Sequence, residues 1–135
     1  MGLASPDKLG RVRESGNHIS RYIKSFKHAL DGIGYVLKHE HNVIIIIIAI
    51  IVTTILGFIY KITSYEWLFI ITSFGLVSAC EMLNTSIEAT IDLKTNKFEP
   101  LAKLAKDTAS SATLIFCIMA FIGALIIFIP KIVGV

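Results

Sequence analysis

The residues most able to do chemistry follow a long apolar run that begins at Trp67. They are Glu81, Asn84, Thr85, Glu88 and Asp92, at offsets of 3, 4, 7 and 11 from the first. An α-helix turns by about 100° per residue, so all five side chains share one stripe, within about 60° of the Glu81 direction. A charged side chain deep in a membrane costs at least about 2.5–3.5 kcal/mol. Three acids on one stripe therefore indicate a functional site.

A structural interpretation of the same stripe must be weighed beside this one. Polar side chains on membrane helices often hold neighbouring helices together through hydrogen bonds. This interpretation suits Asn84, Thr85 and Ser86 taken alone. Acids at this depth more often mark the path of a proton, an ion or a substrate.

The composition is that of a small integral membrane protein. The chain has 135 residues and a net charge of +3, and 54% of its residues are hydrophobic. Its mean hydropathy of +0.72 is well above that of a soluble domain. We predict an all-α membrane protein with an amphipathic surface helix and three transmembrane helices.

The hydropathy pattern divides the chain into a tail and one membrane domain. Residues 1–18 are polar and predict a disordered cytoplasmic tail, and residues 19–135 form the domain. From Ile19 to Leu37, apolar residues recur on one helical face opposite basic residues, which predicts an interfacial helix over about 19–38. Apolar runs predict membrane spans at about 43–60, 67–92 and 109–129, and residues 93–108 are expected to form a polar loop.

The distribution of Lys and Arg predicts the orientation. Seven precede the first span, one lies between the first and second, four lie between the second and third, and one follows the third. Positive residues are enriched on the cytoplasmic side. We therefore expect a multi-pass protein of the bacterial inner (plasma) membrane with a cytoplasmic amino terminus and an external carboxyl terminus. The acidic end of the second span then faces the cytoplasm, where ATP and a bilayer lipid can both reach it.

These residue types suit phosphoryl transfer. Mg²⁺ prefers one or two carboxylates together with substrate phosphates, and Glu40 and Glu88 are suitable oxygen ligands. Lys106 and Arg21 could neutralise phosphate oxygens, and Glu81 could accept a proton from an alcohol. Together they predict an in-line transfer from a metal-bound nucleotide to a lipid hydroxyl. No P-loop or soluble-kinase glycine loop is present.

Two other functions remain open on the residues alone. In a small ion-coupled transporter, Glu81 and Glu88 would carry protons or cations, and the surface helix and the Lys106–Asp107 pair would have no evident role. In a non-catalytic assembly protein, the acids would pair with basic residues of a partner.

The sequence resembles the small bacterial integral-membrane lipid kinases, the family of diacylglycerol kinase and undecaprenol kinase. The similarity covers about residues 19–130 and includes Glu40 before the first span. Its motif is Glu81-x-x-Asn84-Thr85-Ser86-Ile87-Glu88-x-x-x-Asp92, followed by Ala105-Lys106-Asp107.

The resemblance implies a role for each matching position. Glu81 would be the catalytic base, Glu40 and Glu88 would hold Mg²⁺ on ATP, and Asn84 and Asp92 would support them. The nucleotide would contact Arg21, His28, Glu40, Glu88, Lys97, Glu99, Lys106 and Asp107. Ser110 would face the lipid head beside Glu81. The resemblance also implies a homotrimer with active sites shared between subunits.

The resemblance favours undecaprenol as the lipid, with diacylglycerol as the alternative. The stretch from Phe98 to Lys103 that leads into Lys106 and Asp107 is similar to the undecaprenol branch. The residues after Glu40 differ from the stretch that the diacylglycerol branch carries there.

Overall fold

The computed structural model describes residues 18–95 and 97–134, and this part of the chain folds into four α-helices. They are α1 (His18–His39), α2 (His41–Ile59), α3 (Ser64–Lys94) and α4 (Pro100–Val133). Three of them, α2, α3 and α4, are long and apolar enough to cross a membrane. The predicted all-α fold class is confirmed. The predicted tail, up to residue 17, lies outside the described residues.

The described residues divide into two units, one that extends up to Ile33 and one that begins at Gly34. The helix α1 is continuous from His18 to His39, and most of it belongs to the first unit. Its apolar side chains in that unit, such as Ile23 and Phe26, are exposed. An amphipathic helix with an exposed apolar face suits the interfacial position that the sequence predicts.

One end of the second unit is closely packed, where α2 leads into α3 and where α4 ends. We call it the closed end. Its core consists of buried apolar side chains from the turn, α3 and α4, Ile62, Ile70, Ile127 and Phe128, against which the partly buried Leu56 of α2 packs. The helices approach closely at two glycines: Gly57 lies against the Trp67 ring, and Gly123 lies against the Phe69 ring. A side chain at either glycine would overlap the neighbouring ring, so these contacts fix how α3 packs against α2 and α4.

Polar contacts fasten the same end. Thr63 caps α3 through a capping box, in which its hydroxyl accepts from the Glu66 amide at 3.3 Å and its own amide donates to the Glu66 carboxylate at 2.6 Å. The same carboxylate lies 3.2 Å from Lys131 near the end of α4. The helix α4 continues through Pro130 to Val133, which brings Lys131 within reach of α3.

At the other end, the connection between α3 and α4 is shorter than predicted. The expected loop over residues 93–108 was wrong, since α3 continues to Lys94 and α4 begins at Pro100. Proline suits the first position of a helix, and an ion pair of 2.8 Å between Lys103 and Asp107 supports its first turns. As a result Lys106 stands on a helix beside the end of α3. We call this the polar end.

Candidate active site

Glu81 lies in the middle of α3 and is almost completely buried, with 2% of its surface exposed. Its Oε1 atom has no hydrogen-bond partner within the described residues. The Thr85 hydroxyl, one turn away, donates to the Glu81 backbone carbonyl at 3.1 Å instead of to the carboxylate. Buried polar groups are almost always hydrogen-bonded, so this free carboxylate oxygen makes Glu81 a candidate for ligand binding.

The rest of the acidic stripe runs from Glu81 towards the polar end and becomes steadily more exposed. Asn84 is buried, Glu88 is half-buried and Asp92 is exposed. The Asn84 amide nitrogen donates to Glu88 Oε1 at 3.0 Å, while Asn84 Oδ1 is buried without a partner. This leaves a carboxylate and an amide oxygen side by side, which are the ligand types that hard cations prefer.

Glu40 lies at the same end, at the junction of α1 and α2. It is half-buried, and its backbone is extended, with φ −99° and ψ 116°. It occupies the cap position of α2, yet its side chain makes no capping hydrogen bond. The carboxylate is therefore not used to satisfy the amides of α2. It stands two residues before Asn42, which lines the cavity that holds Glu81.

A cavity of about 480 Å³ occupies the region between the end of α3 and the start of α4, and we call it the polar cavity because of the charged residues that line it. Six of its lining residues are charged and balance in sign: Asp92, Lys97, Glu99, Lys103, Lys106 and Asp107. Lys106 Nζ donates to Asp92 Oδ1 at 2.5 Å and so joins the two helices. The cavity therefore brings five of the predicted site residues together. Its size and its lysines suit a phosphorylated ligand.

A second cavity, of about 240 Å³, lies between α2, α3 and α4 and contains Glu81. We call it the Glu81 cavity. Ser110 of α4 also lines it, so the two residues that the resemblance assigns to the lipid share one cavity, while their contact with a lipid stays a prediction. Asn42 of α2 and Thr113 of α4 add further polar groups, and the Thr113 hydroxyl is buried without a partner in the described chain. The remaining lining is apolar.

A third cavity, also of about 240 Å³, adjoins the Glu81 cavity on the side of the closed end. The two cavities share Ile45, Ile46 and Cys117 in their linings, so they adjoin each other, and we call the pair the groove. The lining of the third cavity is almost entirely apolar, and we call it the apolar cavity. A ligand with a polar head and a long apolar tail would fit this sequence of cavities.

Two predicted site residues, Arg21 and His28, belong to the other unit of the chain. Both lie on α1 in the unit of residues 1–33 and both are exposed. The cavities and ion pairs described above belong to the unit of residues 34–135. A contact of Arg21 or His28 with a nucleotide stays a prediction.

Sequence reasoning missed Thr113 and Asn42. Thr113 lies three residues after Ser110, and residues at this spacing share a helix face, so the signal was present. Asn42 follows Glu40 at the start of the first span. Its place in the Glu81 cavity depends on how α2 packs, which no local pattern shows.

Comparison with known proteins relates this arrangement to characterised families. Residues 27–128 match a family model described as prokaryotic diacylglycerol kinase. An undecaprenol kinase of Bacillus subtilis (strain 168) is 39% identical over 119 residues, which cover 88% of this chain and 97% of the relative. A diacylglycerol kinase of Helicobacter pylori (strain J99) is 33% identical over 106 residues, covering 78% of this chain and 82% of the relative.

Proposed function

The chain belongs to the prokaryotic diacylglycerol kinase family, and we propose that within this family it transfers the γ-phosphate of ATP to undecaprenol. Membership makes it a membrane lipid kinase, which removes the transporter and assembly-protein alternatives. The observation that carries the proposal is the free oxygen of buried Glu81, in a cavity that adjoins the apolar cavity. A prenol has one hydroxyl that can bind this oxygen and a hydrocarbon chain that can occupy the apolar cavity.

Glu81 is the proton acceptor in this proposal. The lipid hydroxyl binds in the Glu81 cavity and donates its hydrogen bond to Glu81 Oε1. As the hydroxyl oxygen attacks the γ-phosphorus, its proton moves to the carboxylate, and the bond to the β-phosphate breaks to release ADP. Burial excludes water, which would otherwise compete as the acceptor of the phosphoryl group. Ser110 lines the same cavity and contacts the lipid head.

The residues around Glu81 also fit a bound Mg²⁺. Within residues 18–95 and 97–134, no three His, Cys, Asp or Glu side chains form a metal cluster. Mg²⁺ on a nucleotide needs only one or two carboxylates, because phosphate and water complete its shell. Glu88 and Glu40 supply those carboxylates, and the unpartnered Asn84 oxygen supports them. When bound, the ion neutralises charge on the phosphate oxygens.

The nucleotide lies towards the polar end. Lys106 and Asp107 contact it together with Lys97 and Glu99, since all four line the polar cavity. Asp92 holds Lys106 in place before the nucleotide arrives. We propose that Arg21 and His28 of α1 complete the nucleotide site.

Shared active sites in a homotrimer follow from the resemblance and suit the low burial of the spans. The most apolar parts of α2, α3 and α4 are only 11%, 28% and 17% buried in the single chain. Mixing subunits tests the proposal. A Glu81→Gln subunit and a Glu40→Gln subunit, each inactive alone, should regain activity together if one site draws on two chains. Persistent inactivity of the mixture would argue for a site within one chain.

We propose that the polar end faces the cytoplasm of the inner membrane, as the Lys and Arg distribution predicts. A reporter that is active only outside the cytoplasm, fused after Val135, should then be active. The same reporter fused within the connection between α3 and α4 should be silent. The reversed result would overturn the orientation.

The lipid is tested by competition. The purified protein in proteoliposomes receives equal mole fractions of undecaprenol and diacylglycerol with γ-labelled ATP, and the labelled products are separated. We expect most of the label in undecaprenyl phosphate, with no requirement for an ion gradient. Diacylglycerol is the second candidate, favoured by the Helicobacter pylori relative. Label confined to phosphatidic acid would establish that alternative.

A further inference from the structure

The buried hydroxyl of Thr113 lacks a bond that several other membrane-helix hydroxyls make. Six of those hydroxyls donate to the backbone carbonyl four residues earlier, at 2.6–3.1 Å: Thr53, Thr85, Ser86, Thr90, Thr108 and Ser111. This bond is the usual way in which Ser and Thr are satisfied inside a helix. Thr113 is 9% exposed, and its Oγ1 makes no hydrogen bond within the described residues. Its hydroxyl is therefore available to a partner that the described residues do not supply.

The position of Thr113 indicates the chemical nature of the missing hydrogen-bond partner. Thr113 on α4 and Glu81 on α3 line the same cavity, and each presents a buried polar atom without a partner. The two atoms have complementary needs. An ionised carboxylate oxygen only accepts hydrogen bonds, whereas a threonine hydroxyl can donate one. An alcohol is the simplest group that serves both, because its O–H donates while its oxygen accepts.

We propose that Thr113 is a further substrate-binding residue that holds the lipid alcohol against Glu81. The proposal rests on the function proposed above. The lipid O–H donates to Glu81 Oε1, and the lipid oxygen accepts from Thr113 Oγ1. One lone pair of that oxygen remains free to attack the γ-phosphorus. Thr113 neither gains nor loses a proton during transfer, so its contribution is to position the nucleophile.

The two unpartnered atoms and the apolar lining beyond them also limit which alcohols the site accepts. In this proposal a single hydroxyl satisfies both unpartnered atoms, so the substrate needs no second polar group at this point of the cavity. Beyond Cys117 the groove becomes apolar and offers a hydrocarbon chain no polar partner except Thr53, whose hydroxyl is already bonded to Ala49. The site is thus matched to a chain alcohol with one oxygen at its end.

Thr113→Val tests the proposal, because valine keeps the shape of threonine and removes only the hydroxyl. We expect kcat/KM for the lipid to fall about 2- to 13-fold, the range expected for one hydrogen bond, while the KM for ATP is unchanged. Thr113→Ser should restore most of the loss. The matched control is Thr90→Val, which removes an exposed hydroxyl bonded to its own helix and should leave lipid kinetics unaltered.

A merely structural hydroxyl would behave differently. In our proposal the Thr113 hydroxyl has no partner within the protein. Valine fills the same volume and leaves no polar atom without a partner, so Thr113→Val should unfold at the same temperature as the wild type or higher. Normal lipid kinetics in this variant would overturn the proposal. A large loss of thermal stability in Thr113→Val and Thr113→Ala, with Thr113→Ser stable, would show a structural partner and overturn it as well.

Inert analogues separate this inference from the catalytic one. A prenyl methyl ether accepts a hydrogen bond but cannot donate one, and the matching hydrocarbon does neither. As competitive inhibitors, the ether should bind several-fold more tightly than the hydrocarbon in the wild type and equally in Thr113→Val. An unchanged preference in the variant would refute the role of Thr113. If the wild type labels no lipid alcohol at all, the proposed function itself fails, which the first assay detects independently.

Discussion

Glu81→Gln removes the proton acceptor from the site and changes little else. Glutamine has the same number of heavy atoms, and the side chain is 2% exposed, so the packing of α3 is retained. General-base catalysis contributes about 10²- to 10⁴-fold to a rate. We therefore expect kcat to fall by about that factor, which corresponds to about 3–5 kcal/mol in activation free energy.

The same substitution should not weaken the fold. Glu81 Oε1 has no partner in the described chain, and an unpartnered buried polar atom costs about 1–3 kcal/mol of stability. A neutral amide is less costly to bury than a carboxylate. The thermal unfolding temperature of Glu81→Gln in detergent should therefore equal or exceed that of the wild type.

The assay measures three quantities in each variant: label transferred to lipid, binding of ATP at equilibrium, and thermal unfolding. The matched control is Glu66→Gln at the closed end. There the carboxylate belongs to a capping box and pairs with Lys131, and glutamine can keep the cap but not the charge. We expect Glu66→Gln to unfold at a slightly lower temperature than the wild type and to keep its turnover.

The two variants should thus show opposite effects. Glu81→Gln should lose activity and keep its stability, whereas Glu66→Gln should lose stability and keep its activity. Turnover by Glu81→Gln above about a tenth of the wild-type rate would refute the assignment of Glu81 as the base, since it lies far outside the expected range. Loss of ATP binding together with unfolding would show that Glu81 is needed for the fold, and would refute the reasoning from its unpartnered oxygen.

Three further predictions concern packing, nucleotide binding and the metal. Gly123→Ala should destabilise the protein by about 1–3 kcal/mol, because its methyl group would overlap the Phe69 ring, whereas Gly75→Ala, with open space around it, should be neutral or stabilising in thermal unfolding. Lys106→Ala should raise the KM for ATP about tenfold or more and leave the KM for lipid unchanged in steady-state kinetics, whereas Lys131→Ala at the closed end should not affect the KM for ATP. Removal of divalent cations with EDTA should abolish label transfer, and excess Mg²⁺ should restore it; full activity in EDTA would exclude the metal.

Periodicity was sufficient to predict that the central residues of the candidate site share one face of a helix. The offsets between Glu81, Asn84 and Thr85 placed them on one stripe, and in the structure all three are buried in α3. The prediction succeeded because the helical repeat depends only on neighbouring residues. In addition, acids on a membrane helix almost always face the protein interior or a water-filled cavity. The three apolar spans could be predicted for the same reason, since bilayer thickness sets their length.

Contacts between helices could not be predicted from the periodicity of the sequence. The ion pair of Lys106 with Asp92 joins residues 14 apart in the chain, and it forms because α4 begins at Pro100 and not after Thr108. The helix-start signals were present, a proline and a Lys103–Asp107 pair, but high polarity favoured a loop. The close approach of Gly123 to Phe69 depends on the crossing of α3 and α4, for which the sequence offers no local period.

The two ends of the second unit differ in a way that separates stability from function. At the closed end, apolar side chains fill the core and Glu66 meets both its cap and Lys131. Towards the polar end, the buried side-chain atoms without partners in the described chain are Glu81 Oε1, Asn84 Oδ1 and Thr113 Oγ1. A fold that satisfies polar groups at one end and leaves them open at the other loses stability only where a ligand can restore the missing bonds. If so, a bound lipid alcohol and nucleotide should raise the unfolding temperature of the wild type, and Thr113→Val should reduce the share of that rise that the lipid contributes.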